Sequence, residues 1–219
     1  MHDILHRIAV VYIGLCLFSA AWTIADMYAW GHRQPMKVME AVWPLTMLYW
    51  GPVGLAAYYW FGRPHPGREA RGKPPMWQAV FKGASHCGAG CALGDFIGDW
   101  IAFLCALTLF GSELAGKIAA GFAFAYVLGI AFQYFSVAPM RHLGVAQGLW
   151  AAVKIDTVSL VAYEIGMFAW MALRTAVYPD LKPTQASYWF MMQIAMIVGF
   201  GTTYPVNWWL IRRGIKERM

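Results

Sequence analysis

The run SHCGAGCALGDFIGDW, Ser85 to Trp100, concentrates the residue types in this chain that could do chemistry. Cys87, Cys91, Asp95 and Asp99 recur every four residues. On a helix they form one polar stripe that drifts slowly around the axis. Two thiolates at i, i+4 could hold one soft metal ion. Cys with Met favours Cu(I), and Cys with His suits Zn(II). His86 points about 100° away from Cys87 on a regular helix, so it joins such a site only if Gly88 and Gly90 let the backbone unwind. The competing reading makes both cysteines small buried packing residues. Asp95 and Asp99 resist that treatment, because an Asp at the centre of a membrane helix costs about 2.5–3.5 kcal/mol on the insertion scale. The neighbouring stripe of Gly90, Gly94 and Gly98 overlaps small-xxx-small motifs and invites close approach by another helix.

A second group of polar residues lies in the apolar run 149–173. Lys154 and Asp156 are two residues apart and face opposite ways; Lys154 sits where it can snorkel to the interface. Glu164 falls near the middle of the run, where snorkelling is hard. If helices rise in parallel from near Ala84 and Leu149, Cys91 lies level with Asp156, and Asp99 with Glu164. A descending last helix then brings Thr203 near the first level and Met196 near the second. The expectation is a polar seam between three helices, thiol and carboxylate below, carboxylate and thioether above. Met191, Met192 and Met196 could pass Cu(I) along, although Met more often fills irregular apolar space. No nucleophile elbow, Walker loop, dinucleotide fingerprint or HExxH motif is present, so an enzyme is not the favoured class.

These groups need elements to hold them. With 60% hydrophobic and 13% charged residues, the chain is too apolar for a soluble domain, where about 25% are charged. The pattern predicts an all-α, polytopic transmembrane helical bundle with six spans, near 8–30, 38–61, 84–110, 114–135, 149–173 and 187–211. Pro44 and Pro52 should bend the second. The first two spans read as ordinary anchors, a hairpin over 1–61. A basic linker follows at 62–75, then a four-helix module at 76–219. With six spans, eleven Lys and Arg fall on the side of both termini and five on the other, which expects both termini in the cytoplasm of an inner membrane. The four cysteines lie in apolar stretches rather than as a disulfide framework, and the first apolar run reads as a retained span rather than a signal peptide. The net charge of +6 sits between apolar runs and after the last one. It suits an anionic leaflet and gives no nucleic-acid footprint.

The run from Ser85 to Trp100, together with the closing MQIAMIVGFGTTYPVNWWLIRRGIKERM, resembles a bacterial membrane-protein family catalogued as domain of unknown function 4396. The likeness covers about Met76 onward. It implies a four-helix module, and the association of some members with copper oxidases directs the metal choice toward copper. It supplies no catalytic or binding residues. The leading expectation is a protein that binds or transports a soft metal ion, copper with zinc as the alternative, through Cys87, Cys91 and His86. Asp95, Asp99, Asp156 and Glu164 would compensate charge or couple protons, with Met196 and Thr203 along the seam. The alternatives are a proton- or cation-coupled transporter or channel without bound metal, and a structural or assembly subunit of a membrane complex. The lipid bilayer and a small ion are the expected partners, with a second copy or a complex partner in addition.

Overall fold

The computed structural model describes residues 2–65 and 74–218. Arg68, Arg71 and Lys73 of the basic linker lie outside them. Six α-helices carry the fold, α1 His2–Tyr28, α2 Met39–Ala57, α3 Met76–Leu104, α4 Glu113–Arg141, α5 Val145–Val177 and α6 Ala186–Arg212, and no strand forms among the described residues. Five of them, all but α2, are long and apolar enough to cross a membrane. Large apolar side chains such as Val11, Trp60, Val127, Phe135 and Ile165 stay exposed on the outside of the bundle, an arrangement suited to lipid.

The stretch expected as a second span is a reversed hairpin instead. In a straight helix Trp43 and Phe61 would stand about 27 Å apart; their rings are 6.1 Å apart, and Trp43 and Tyr58 are 5.4 Å apart. The reversal sits at Gly51, whose φ of 51° and ψ of −130° break the helix. Pro52, one residue on, has no amide to give to the carbonyl of Leu48. Gln193 Nε2 donates to that oxygen at 2.6 Å, and the Tyr12 hydroxyl donates to the carbonyl of Tyr49 at 2.8 Å. Backbone groups freed at membrane depth need such partners. Pro44, by contrast, is carried inside the first half of the hairpin. The second half ends in a π-turn at Tyr58–Gly62. Asp26 of α1 then pins its exit, accepting from Tyr58 Oη at 2.8 Å and pairing with Arg63 Nη2 at 2.9 Å. The first 61 residues thus hold a buried polar cluster around Asp26 as well as apolar helix.

The reversal settles which helix ends share a face. Trp77, at the start of α3, touches Trp60 and Phe61. The Ser136 hydroxyl reaches Met36, Arg141 pairs with Glu217, and Lys216 reaches Gly83. The end of α1, both ends of the hairpin, and the α3 start, α4 end, α5 start and α6 end therefore lie at one end of the bundle. The other end gathers the start of α1 (Tyr12 against Phe190), the end of α3 (Trp100 against Trp189) and the loops after α3 and α5. α3 stops at Leu104, six residues short of the expected end, because positive φ values at Ala106, Phe110 and Gly111 turn the chain and Ser112 caps α4. Cys105 is consequently exposed.

The glycine stripe works as its spacing suggests. A Cβ on Gly90 would lie 2.7 Å from Gly129 Cα, one on Gly94 2.2 Å from Ala125 N, and one on Gly98 2.6 Å from Gly121 Cα. Backbone rests on backbone along α3 and α4, which turns the adjacent stripe of α3 toward α5 and α6.

Candidate functional site

Cys87, Cys91, Asp95 and Asp99 line one face of α3, all buried, over about 18 Å of helix. α5 lays Asp156 and Glu164 against them, each about 1% exposed. The Cys87 thiol lies beside Asp156, and the Cys91 thiol beside both Cys87 and Glu164. None of these approaches has the geometry of a formed hydrogen bond. Both oxygens of Asp156, both of Glu164 and Oδ2 of Asp95 have no hydrogen-bond partner among the described residues. Glu164 and Asp95 face one another electrostatically, and Asp95 in turn faces Asp99. The result is a buried row of groups within electrostatic range of one another: Asp156, Cys87, Cys91, Glu164, Asp95, Asp99.

Cations close both ends of the row. At one end Tyr188 Oη donates to Asp99 Oδ2 at 2.5 Å. Two cations stack on the Tyr188 ring, Arg174 at 4.7 Å from its centre and Lys117 at 5.6 Å. Both cations act on Asp99. A small cavity of ≈ 10 Å³ joins Asp95 and Asp99 to the partly exposed Lys117, room for about one water. At the other end the buried Lys216 donates to Gly83 O at 3.2 Å and reaches Ser159 Oγ at 3.5 Å, with Asp156 in its field.

The levels pair one helical turn away from the expectation. Cys87 is eleven residues past Met76 and Asp156 eleven past Val145; Asp95 and Glu164 are each nineteen past those starts. Starting α3 at Ala84 rather than Met76, and α5 at Leu149 rather than Val145, displaces one helix against the other by four residues. Asp99 consequently meets Tyr188, Arg174 and Lys117 rather than Glu164.

Other expected members stand apart. α3 is helical without interruption through Gly88 and Gly90, so His86 keeps to another face, edge-on to Phe132 at 6.1 Å, with both ring nitrogens unpartnered among the described residues. Among those residues no group of three or more His, Cys, Asp or Glu gathers as a metal ion requires. Thr203 donates to Ser159 O at 2.7 Å, and Asn207 to Ser159 Oγ at 2.7 Å, tying α6 to α5 beside the row. Met196 is buried, and its carbonyl accepts from Tyr163 Oη at 2.8 Å. Lys154 is exposed, its ammonium 5.1 Å from the centre of the Trp150 ring, as a snorkelling lysine would be.

Several participants are not evident in the linear pattern. The tip of the reversed hairpin brings the Tyr49 hydroxyl to Gly88, where a Cβ would lie 2.6 Å from it and 3.0 Å from Tyr163 Oη. On α4, a Cβ on Gly121 would lie 2.6 Å from Asp95 Oδ1, and one on Gly129 2.8 Å from Asp156 Oδ2. The spacing Gly121, Ala125, Gly129 was a usable signal for the α4 face, the mirror of the α3 stripe. Lys216, within a basic run, carried no such signal.

Fold and site together define an all-α bundle of long apolar helices enclosing a row of carboxylates and thiols between two cationic ends. The chain belongs to the family described as domain of unknown function (DUF4396), whose model matches residues 76–216. That span holds the whole row. No curated protein matches the chain, and no solved structure does.

Proposed function

We propose that this is an integral membrane protein that conducts or exchanges protons along the row from Asp156 to Asp99. The observation that carries the reading is the set of buried carboxylate oxygens without partners on Asp156, Glu164 and Asp95. Ionisable groups inside a membrane bundle are costly and mark ion or proton pathways. A carboxylate left unpaired there is relieved by taking a proton, and neighbours at one-turn spacing allow the proton to pass on. The thiols, groups able to donate and accept weakly, stand between Asp156 and Glu164.

The test is flux in proteoliposomes carrying an internal pH indicator, driven by a potassium diffusion potential. Wild type should acidify or alkalinise the lumen with the imposed sign. Glu164→Gln and Asp95→Asn should lose roughly tenfold or more of that flux, and Cys87→Ser/Cys91→Ser should keep most of it. Wild-type flux no greater than that of empty liposomes sinks the reading.

A second reading, transport of a soft metal such as copper or zinc, rests on the adjacency of the Cys87 and Cys91 thiols, two soft ligands one turn apart on α3. It requires the double serine variant to lose both bound metal and transport.

We further infer five crossings and a re-entrant hairpin in place of six crossings. Among the described residues, the end of the bundle holding the α6 C-terminus carries Arg33, Lys37, Arg63, Lys82, Arg141, Lys154, Arg212, Arg213, Lys216 and Arg218. The other end carries Arg7, Lys117, Arg174 and Lys182. Ten against four supports a cytoplasmic α6 end. An odd number of crossings then puts the start of α1 on the far side.

A further inference from the structure

Lys216 lies beyond α6, in a stretch of charged residues that would ordinarily reach into water. It is instead 2% exposed. Gly214, at a φ of +68°, reverses the chain after α6. The amides of Ile215 and Lys216 both return to Leu210 O, at 3.0 and 3.3 Å. This turn directs the Lys216 side chain back into the bundle between α3, α5 and α6. Its ammonium meets Gly83 O and Ser159 Oγ there, with Asn207 close to Gly83 and Asp156 within electrostatic range. Arg141 of α4 holds the same segment from outside, pairing with Glu217 at 2.7 Å and donating to Ile215 O at 3.4 Å.

A buried ammonium demands acceptors, and those it has found belong to two different elements, α3 and α5. A carbonyl and a hydroxyl in contact, with an unpaired carboxylate within electrostatic range, are what a primary ammonium ion would also use at this end of the row. We propose that Gly83 O, Ser159 Oγ and Asp156 form a binding site for a primary ammonium or similar small monovalent cation, and that Lys216 fills it as a tethered ligand, closing the row at this end. The inference rests on the row described above as the route that is closed. Release of the 213–218 segment opens Cys87 and Asp156 to the aqueous side.

Cys87 is a built-in reporter, since its thiol is buried beside Asp156. The experiment uses the full chain in nanodiscs with Cys16→Ser and Cys105→Ser, and reads the labelling rate of Cys87 by a small cationic methanethiosulfonate with peptide mass spectrometry. Lys216→Met should raise that rate roughly tenfold, the mark of a barrier to local opening removed. Methylammonium chloride should then slow labelling more than equal tetramethylammonium chloride, and the difference should vanish when Asp156→Asn is added. Glu217→Ala, which keeps the lysine and frees only its staple, should give a smaller rise and guards against misfolding of the first variant. An unchanged rate in both variants overturns the plug. A raised rate without methylammonium protection overturns the cation site. Labelling does not depend on flux, so failure of proton conduction leaves this result readable, and a Cys87 that stays closed in a conducting Lys216→Met protein refutes the plug alone.

Discussion

Gly94→Ala tests the close docking on which the site depends. Its new Cβ would lie 2.2 Å from Ala125 N and 2.3 Å from Ala125 Cα, both backbone atoms with no rotamer to yield. Van der Waals contact needs roughly 3.5 Å, so α3 and α4 must part by about 1.3 Å. Opening a packed contact by even 0.5–1 Å forfeits about a quarter to a half of its attraction. Gly90 on Gly129 and Gly98 on Gly121 share the same interface and separate with it. Overpacking of this kind costs about 1–3 kcal/mol, occasionally more. We expect the upper part of that range, because the loss spreads over three turns. The helix-propensity gain of Ala over Gly, about 1 kcal/mol, acts in the opposite direction. The net expectation is a loss of roughly 2 kcal/mol. Reversible unfolding in mixed micelles by titrated dodecyl sulfate measures it. Gly201→Ala is the control: nothing lies within 4 Å of its Cβ position on α6, and it should be neutral or stabilising. A Gly94→Ala protein as stable as wild type would falsify the backbone-on-backbone packing. It would also remove the reason for Asp95 to lie hard against Gly121.

Two further outcomes concern the hairpin and the crossings. Gly51→Ala should destabilise by about 1–3 kcal/mol through backbone strain alone, with an added clash against Cys16 Sγ at 2.9 Å. Thermal unfolding should show that Cys16→Ala restores part of the loss and no more; full restoration speaks against strain at Gly51. For the crossings, Asp3→Cys and Arg213→Cys are placed singly in a cysteine-free background and labelled in intact cells with an impermeant maleimide. The first should react at once and the second only after permeabilisation, whereas protection of both would mean an even number of crossings.

Much of the site can be read in the linear chain, because helical geometry needs no partner to be known. A four-residue spacing puts Cys87, Cys91, Asp95 and Asp99 on one stripe of any helix, and the glycines beside them mark where a neighbour can approach. The burial of Asp156 and Glu164 also follows from their place in apolar runs. Relative register is different. It depends on where each helix begins, and apolar runs understate helices whose first turns mix polar residues with apolar ones, as with Gln78 and Lys82 in Met76–Gly83 and Gln147 in Val145–Gly148. That displacement is what carries Glu164 from Asp99 to Cys91 and Asp95.

The chain alone thus determined an all-α, membrane-suited bundle and the composition of its polar stripe, because both follow from hydrophobicity and the period of a single helix. Only the tertiary structure decided the rest. Pro44 and Pro52 look alike as residues, yet the chain reverses at Gly51 because Gln193 and Tyr12 come from other helices to satisfy the carbonyls freed there. Lys216 looks like one more basic residue, yet acceptors supplied by α3 and α5 draw it inside. In both cases the deciding partner lies more than thirty residues away, where no local pattern can register it.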